Sequence, residues 1–462
     1  MLSYILSKDP EEVFPPYIMS FMLGLYALGI LKKSHHAFTA SLFFFLLIAV
    51  AFSVVLIIRV RPFMQSGRHS AAEIRGFFGR ACLKAAGHPG FVFFLTVCVV
   101  MCICFSTHFV NVWDDFHYNA TFPKDCYYYG TMPVGSELAT HYKSYLPLLQ
   151  LFFYWGFQGS TFSEPMMFQY KIVLIYVLIL PLFKRMNDTG GIRRVITGLS
   201  ALILPFLFLF EILESLSMDT VMGLLFAYAA LKITVRRKDD LFGYYEIIVS
   251  LLCLTLIKSI AFYFTGVCLA LWLCDLLVSE KARDRRELAL FGSCVILNAG
   301  AFLSWRIFCE RNGNTTYLSN RLFSNIKEGS LAIPEYGGQT LSGILKSIFS
   351  MPTNLSRFGL SLAGITVIAL LTAVWFYMKK VLTRRIMTGI FVCGLGLLGY
   401  ILILSYTYIF IFDPWEAESL SSLDRYFGTY SLMTGYVLLF MLTLPALDRK
   451  ADKFVIFGVP VL

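Results

Sequence analysis

Charged residues are scarce in this chain. Asp, Glu, Lys and Arg make up 15% of its 462 residues, whereas hydrophobic residues make up 57%. Water-soluble chains usually carry about 25% charged and about 45–50% apolar residues, so this composition excludes an ordinary soluble globular protein. Long apolar runs separated by short polar segments are typical of membrane-spanning helices. We therefore predict an all-α polytopic membrane protein.

Neither a signal-peptide pattern nor a disulfide framework is expected from the sequence. The N-terminal stretch MLSYILSKDPEEVFPPYIMSF has no basic region followed by an apolar core and a small-residue cleavage site, so we expect no cleaved signal peptide. Most of the 11 Cys lie inside apolar runs, and none forms a C-x-x-C pair with zinc spacing. Cys126 and Cys309 fall in segments that we place outside the cytoplasm, where a disulfide between them is conceivable.

Apolar runs supply the predicted spans. A helix that crosses the hydrocarbon needs about 20 mostly apolar residues, and the sequence predicts about twelve such helices. They lie near residues 17–32, 38–58, 90–108, 166–183, 195–212, 219–235, 243–258, 260–278, 288–306, 360–378, 386–412 and 427–446. The stretch 145–157 is too short to cross comfortably, so we predict that it is amphipathic or re-entrant.

Basic residues set the orientation. If every predicted span crosses once, six clusters of Lys and Arg fall on one side, which is therefore cytoplasmic. Lys32 and Lys33 are the exception, so the first hairpin fits this topology least well. The net charge of +10 thus indicates cytoplasmic loops and no nucleic-acid partner. Segment 59–89 is basic with helical spacing, which predicts a cytoplasmic interfacial helix.

One integral membrane domain, 1–462, is expected, with extracytoplasmic segments at 109–165, 307–359 and 413–426. The first segment begins with Asp114 and Asp115 at the end of a predicted span. Adjacent carboxylates at a membrane surface are partly desolvated and repel each other, and ionisable groups at that depth are functional candidates. The alternative is that the pair only caps the helix or begins a solvated loop.

Aromatic and polar side chains follow the acidic pair. They include His117, Lys124, Asp125, the run Tyr127–Tyr129, Glu137, His141 and Lys143. Flat aromatic faces combined with carboxylates are common in sugar-binding sites. As a lone loop histidine, His117 is more often structural than a ligand.

The stretch WDDFHYNATFPKD, followed by TMPVGSELATHYKSYLPLLQLFFYW, resembles the first extracytoplasmic loop of bacterial membrane proteins in the GT-C glycosyltransferase superfamily. Three later stretches are also similar to that superfamily: SLSMDTVMGLLFAY with Asp219, LTLIKSIAFYF with Lys258, and EAESLSSLDRYFGTY with Glu416, Arg425 and Tyr426. The resemblance covers roughly residues 105–435. The entry HYKSYLP departs from it, because a Pro-Pro-Gly-like turn is expected there.

The resemblance implies a reaction. Such enzymes pass a sugar from a polyprenyl-phosphate donor to an acceptor outside the cytoplasm, here a glycan, lipid or cell-wall polymer. The reaction needs a carboxylate to take the acceptor proton and cations to hold the departing phosphate. We expect Asp114 as the base, Asp115 to orient it or bind a metal, and Lys258 and Arg425 at the donor phosphate.

Acceptor-binding or auxiliary roles are expected for His117, Glu137, His141, Glu214, Asp219 and Glu416. No cofactor is certain, and a divalent metal ion at Asp114 and Asp115 is left open. The expected partners are a polyprenyl-phosphate-linked sugar, the lipid bilayer and an extracytoplasmic glycan acceptor. The expected location is the bacterial inner or plasma membrane, with a multi-pass chain and an active site that faces outside.

Two other functions stay open. A transporter or lipid flippase usually shows internal repeats and polar groups at the midplane. The 90–183 block is not repeated elsewhere, and the intramembrane ionisable groups lie toward one face, which disfavours this function. An O-antigen polymerase or ligase also has about a dozen spans, each of about 20 residues, and an outer active site. Such enzymes generally use arginines and a histidine in one large late loop rather than an early acidic pair. The 307–359 segment and its edge hold Arg306, Arg311, Arg321 and Arg357.

Overall fold

The computed structural model describes residues 8–32, 36, 39–42, 46, 50, 87–132, 144–208, 215–236, 240–278, 284–313, 333–352, 360–379, 384–443, 455–456 and 459–460. Its α-helices are α1 (Pro10–Ile30), α2 (Pro89–Cys104), α3 (Thr121–Tyr129), α4 (Leu148–Phe157), α5 (Glu164–Lys184), α6 (Gly191–Phe208), α7 (Asp219–Val235), α8 (Leu241–Ile257), α9 (Ala261–Val278), α10 (Arg285–Arg311), α11 (Gly337–Ser350), α12 (Leu362–Met378), α13 (Arg384–Phe410), α14 (Pro414–Ser419) and α15 (Leu423–Leu442). A π-helix, Asp115–Asn119, precedes α3, and the short strands β1 (Val455–Ile456) and β2 (Val459–Pro460) pair antiparallel.

The predicted helical architecture is confirmed. Six helices, α1, α5, α6, α9, α10 and α13, are long and apolar enough to cross a membrane by length and composition. Four shorter helices, α2, α4, α8 and α12, are also apolar. The predicted span at 38–58 and the interfacial helix at 59–89 lie largely outside the described residues. The larger number of crossings predicted from the sequence therefore stays a prediction.

The chain divides into two compact units, of which the first comprises residues 1–143 and 147–202. In this unit α2 packs along α5. Gly90 permits the approach, because a Cβ at that position would lie 2.1 Å from the backbone oxygen of Phe183. The Gly90 N–H donates to Asn187 Oδ1 at 2.9 Å, and Asn187 Nδ2 donates to Glu11 Oε1 at 2.8 Å. These bonds fix the start of α1 against the end of α5.

The short apolar stretch near 145–157 forms α4, a helix of 10 residues. Leu149, Gln150 and Phe153 on this helix are completely buried. It packs against α1, α3 and α5 of the first unit. Protein therefore surrounds much of α4, and the amphipathic or re-entrant path of this segment stays a prediction.

The second unit comprises residues 144–146 and 203–462. Its central helix is α7, which packs against α8, α9 and α15 and is buried over nearly its whole length. At Gly223 a Cβ would lie 2.8 Å from the backbone oxygen of Thr429. Glycine at this position therefore permits the close approach of α7 and α15 that places the residues described below.

The disulfide that the sequence left open, between Cys126 and Cys309, is absent from the structure. Cys126 and Cys309 are both free and buried. Burial raises the pKa of the Cys126 thiol well above its ordinary value, because the apolar surroundings disfavour the thiolate. The conceivable disulfide is not formed, and Cys126 is expected to be unreactive.

Candidate functional site

Three ionisable residues that are distant in the sequence meet in the second unit. Lys258 Nζ lies 2.7 Å from Asp219 Oδ1. Arg425 Nε lies 3.1 Å from Asp219 Oδ2. One carboxylate therefore holds two cations, and we refer to Asp219, Lys258 and Arg425 as the charge cluster.

Helix ends supply two members of the cluster. Asp219 is the first residue of α7, where the positive end of the helix dipole stabilises a carboxylate. Lys258 follows the last residue of α8 in an extended conformation, and its carbonyl accepts the Ala261 N–H at 2.9 Å as α9 begins. The apolar runs on both sides of Lys258 form these two helices, so the lysine is placed at the turn between them.

A strained turn places Arg425 in the first turn of α15. Leu420 and Ser422 have φ values of 52° and 63°, in the left-handed region that side chains other than glycine rarely adopt. The Tyr408 hydroxyl donates to the Ser421 carbonyl, and the Tyr400 hydroxyl donates to the Tyr426 carbonyl at 3.2 Å. Two tyrosines of α13 thus hold the turn in the conformation that presents Arg425.

An aromatic ring completes the cluster. Lys258 Nζ lies 5.3 Å, and Arg425 Cζ 5.7 Å, from the centroid of the Tyr426 ring. Both distances are within the range of a cation–π contact. The Asp219 side chain is 1% exposed, whereas those of Lys258 and Arg425 are 21% and 12% exposed. The carboxylate is thus buried, whereas the two cations are partly exposed.

The chemical capacity of the cluster follows from its donors. An ammonium group carries three N–H donors. Among the described residues, one donor of Lys258 bonds to Asp219 Oδ1. A partly exposed cation with donors to spare is suited to an anionic oxygen, and a phosphate offers several. The structure therefore brings together the two residues predicted to contact phosphate, with Asp219 as their shared partner.

The acidic pair lies in the first unit at the start of the π-helix. Asp115 is completely buried, and its Oδ1 accepts a hydrogen bond from Asn119 Nδ2 at 2.9 Å. Asn119 Oδ1 in turn accepts from Gln150 Nε2 at 3.2 Å. Asp114 is only partly buried. The two neighbouring carboxylates therefore occupy different environments: Asp115 belongs to a buried hydrogen-bond network, and Asp114 is partly exposed.

Backbone geometry explains that difference. The π-helix is a wider turn than the α-helix and is frequent at functional sites. Upstream, the Val110 N–H donates to Glu164 Oε2 at 3.0 Å, which ties the segment to the first turn of α5. Because adjacent residues of a helix point in different directions, the anchoring of Asp115 inward directs Asp114 elsewhere.

Of the six auxiliary candidates, the structure describes His117, Glu416 and Asp219, and Asp219 belongs to the charge cluster. His117 contacts Trp113, with ring centroids 3.7 Å apart. Glu416 forms a capping box with Asp413 at the start of α14, which is a structural task. Glu137, His141 and Glu214 lie outside the described residues.

No metal centre is evident in the part of the chain that the structure describes. Among those residues, no three His, Cys, Asp or Glu side chains come together as ligands for an ion. Asp115 is committed to Asn119, so a metal at the acidic pair has no preformed set of ligands there.

Two features were not singled out as sites from the sequence. Lys171 lies completely buried within α5, inside the apolar run FQYKIVLIY. Ionisable residues in such runs are functional candidates by default, so the signal was present in the sequence. The second is a buried ion-pair network: Asp275 Oδ2 lies 2.9 Å from Arg236 Nη2, and Asp275 Oδ1 lies 2.7 Å from Arg385 Nε. Arg236 and Arg385 both belong to the Lys and Arg clusters from which the orientation was predicted.

Comparison with protein-family models, with curated proteins and with solved structures finds no match for this chain.

Proposed function

We propose that this chain is a membrane glycosyltransferase that transfers a sugar from a polyprenyl-phosphate donor to an extracytoplasmic acceptor. The charge cluster is the observation that supports the proposal most strongly. Two partly exposed cations, fixed by a buried carboxylate and an aromatic ring, suit the phosphate of a lipid-linked sugar. The proposal includes the bacterial cell membrane as location and about twelve spans of about 20 residues each.

The bond changes are those of a substitution at the anomeric carbon. A bond forms between that carbon and the acceptor oxygen, and the bond to the donor phosphate oxygen breaks. The electron pair leaves with the polyprenyl phosphate, and Lys258 and Arg425 stabilise the charge that develops on it. A phosphate is already a good leaving group, so a general acid is not essential.

Asp114 is the proposed general base, which takes the proton of the acceptor hydroxyl. Its partial exposure permits contact with an acceptor, whereas Asp115 is completely buried in its network with Asn119 and Gln150. We assign Asp115 a positioning role, since its anchored side chain fixes the π-helix that carries Asp114. The base and the phosphate-binding residues belong to different units, and each is tested by itself.

The position of the charge cluster favours transfer over transport. Transporter sites lie near the bilayer midplane at broken helices. Asp219, Lys258 and Arg425 instead lie at the ends of α7, α8 and α15. The polymerase or ligase alternative relies on late arginines, of which Arg306 makes a surface ion pair with Glu310 at 3.0 Å.

The test of the base is Asp114→Asn in an assay with polyprenyl-phosphate sugars, read as release of polyprenyl phosphate from purified protein. The amide keeps the size of the side chain but cannot take the proton, so turnover should fall by about 10²–10⁴-fold while the donor still binds. Asp125→Asn is the control from the same loop and should retain turnover. Near-normal turnover by Asp114→Asn would remove Asp114 from the mechanism.

A companion variant separates the alternatives. Arg306→Met should leave turnover unchanged if the charge cluster handles the phosphate. If Arg306→Met abolishes activity while Lys258→Met does not, the polymerase or ligase function replaces the proposed one.

A further inference from the structure

Helix α11 lies in the late segment 307–359, and the proposed transfer reaction uses none of its residues. It has 14 residues, which at the α-helical rise correspond to roughly 21 Å. The hydrocarbon core of a bilayer is about 30 Å thick, so α11 is too short to cross it. Within the second unit α11 packs against α12, α13 and α14.

Both ends of α11 lie at the ends of longer apolar helices. The Tyr336 hydroxyl, just before α11, donates to the carbonyl of Ile409 in the last turn of α13 at 3.3 Å. Pro352, just after α11, pairs with Ser361, the N-cap residue of α12. Only residues 379–383 separate α12 from α13 in the sequence. As consecutive spans, these two helices place the start of α12 and the end of α13 at the same membrane face, and α11 lies along that face.

The side chains of α11 form three strips along the helix. The strip that packs against the second unit is buried and consists of Thr340, Ile344 and Ser347. The next strip is apolar, is between 40% and 75% exposed and consists of Leu341, Leu345 and Phe349, which we call the apolar stripe. The third strip is polar and exposed and consists of Gln339, Ser342, Lys346 and Ser350. Because residues four apart lie on one side of a helix, the apolar stripe is continuous.

The partner that fits the apolar stripe is a lipid surface. Leu and Phe on one side of a helix and Lys on the other are typical of a helix that lies in the membrane interface. Exposed apolar surface of this kind is unfavourable in water. The neighbouring α12 also exposes apolar side chains along its length, as a helix in contact with lipid does: Val367, Ile368, Leu371 and Val374.

The other side of α11 rests on the turn that presents Arg425. A Cβ at Gly343 would lie 2.9 Å from Leu420 Cδ1, the first residue of the turn with a positive φ. The Thr340 hydroxyl donates to the carbonyl of Ala417 in α14 at 3.3 Å. Since α14 and this turn lead directly into α15, the position of α11 bears on the position of Arg425.

We propose that α11 is an interfacial helix whose apolar stripe is inserted in the bilayer, and that it holds the Leu420 turn at the level of the membrane surface. The second part rests on the proposed function, because it concerns the donor phosphate at Arg425. A lipid-linked phosphate lies at the membrane surface. The bilayer thus determines the depth of α11, and α11 keeps the phosphate-binding turn at that depth.

The test of insertion uses the full chain in nanodiscs, with nitroxide labels on cysteines introduced into a Cys104→Ser background whose own signal is subtracted. Collision with oxygen, which is enriched in hydrocarbon, is compared with collision with a water-soluble nickel chelate. Leu345→Cys and Phe349→Cys should favour oxygen, whereas Ser342→Cys and Lys346→Cys on the polar strip should favour the chelate. A preference for the chelate at Leu345 and Phe349 would place the apolar stripe in water, and little collision with either reagent would mean that protein covers it. Both results would overturn the proposal.

The test of the turn is the affinity for polyprenyl monophosphate. Gly343→Ile presses on Leu420 and should weaken binding by about 5-fold or more. Gly338→Ile is the matched control in the same helix, because a Cβ there would meet nothing within 4 Å. In an Arg425→Met background Gly343→Ile should add little, since the turn no longer presents a cation.

An equal loss of affinity in both backgrounds, or no loss in either, would contradict the role of α11 at the turn. If Gly343→Ile does not fold, Thr340→Val removes the hydrogen bond to Ala417 and is measured in the same backgrounds with the same expectation. Failure of the unsubstituted protein to bind polyprenyl monophosphate would remove the proposed function and the role of the turn with it. The collision pattern would still decide whether α11 is inserted in the bilayer.

Discussion

Among single residues, Asp219 determines how the charge cluster is held together. It is almost completely buried, and both of its carboxylate oxygens contact a cation. Removal of one partner from a buried ion pair typically costs about 3–5 kcal/mol, because the other charge stays desolvated. Asp219 therefore contributes to stability as well as to the geometry of Lys258 and Arg425.

We expect Asp219→Asn to lower the free energy of unfolding by up to about 3–5 kcal/mol, because Lys258 loses its carboxylate partner. The measurement is the thermal unfolding midpoint of the purified protein in detergent. Asp424→Asn, which changes a less buried carboxylate in the first turn of α15, is the control and should shift the midpoint little. Equal midpoints for the two variants would show that the ion pairs add nothing to stability.

Residue types in the site were predictable, whereas their partners were not. Lys258 and Arg425 stand out in the sequence as cations at the ends of apolar runs, and both were expected to contact phosphate. Asp219 was expected only as an auxiliary residue, and its pairing with both cations was not predicted. Sequence separation hides the contact, because Lys258 and Asp219 lie 39 residues apart and meet only through the packing of α7 on α8.

Among the helices, the contact of α7 with α15 positions the site. Gly223 lies one turn after Asp219, and Thr429 lies one turn after Arg425, so the glycine contact fixes the distance between the two charged residues. A side chain at this position would force the helices apart. Overpacking of this kind costs about 1–3 kcal/mol.

Gly223→Ala is therefore expected to lower the thermal unfolding midpoint and to weaken donor binding, although it introduces a better helix former. Gly300→Ala is the control, since a Cβ there meets nothing within 4 Å. Donor binding and unfolding are measured on the same preparations. If Gly223→Ala binds donor and unfolds as the unsubstituted protein does, the close approach does not position the cluster.

Helix positions follow closely from hydropathy. The predicted span 166–183 corresponds to Glu164–Lys184, and 260–278 corresponds to Ala261–Val278, because apolar runs bounded by Pro or charge define their own ends. In segment 109–165 the sequence predicted only the apolar stretch 145–157, which corresponds to α4, whereas the π-helix and α3 were not predicted. Short helices with mixed composition have no run long enough to reveal them, and their burial depends on contacts with distant helices.

For the whole molecule, the positions of the basic clusters predict which segments face outside. Tyr128→Cys in α3 and Trp415→Cys in α14 place thiols at side chains that are each 64% exposed, and Ile192→Cys in α6 does so at one that is 62% exposed. In a Cys104→Ser background, a membrane-impermeant maleimide should label the first two in intact cells and the third only after permeabilisation.

The native Cys126 should stay silent in this experiment, since burial raises the pKa of its thiol and only the thiolate reacts. The Lys and Arg distribution of the sequence predicts the orientation, while the division into two units depends on packing between residues that are distant in the sequence. Labelling of Tyr128→Cys only after permeabilisation would place the acidic pair on the cytoplasmic side and remove the geometry that the proposed transfer requires.

The most direct test of the proposed function is the affinity of the purified protein for polyprenyl monophosphate. Loss of one charge-assisted hydrogen bond to phosphate costs about 1.5–3 kcal/mol, so Lys258→Met and Arg425→Met should each weaken binding by roughly 10- to 150-fold. Lys346→Met, at an exposed lysine of α11, should bind as the unsubstituted protein does, and polyprenol without the phosphate should not distinguish the variants. Unchanged affinity for polyprenyl monophosphate in both Lys258→Met and Arg425→Met would contradict the account.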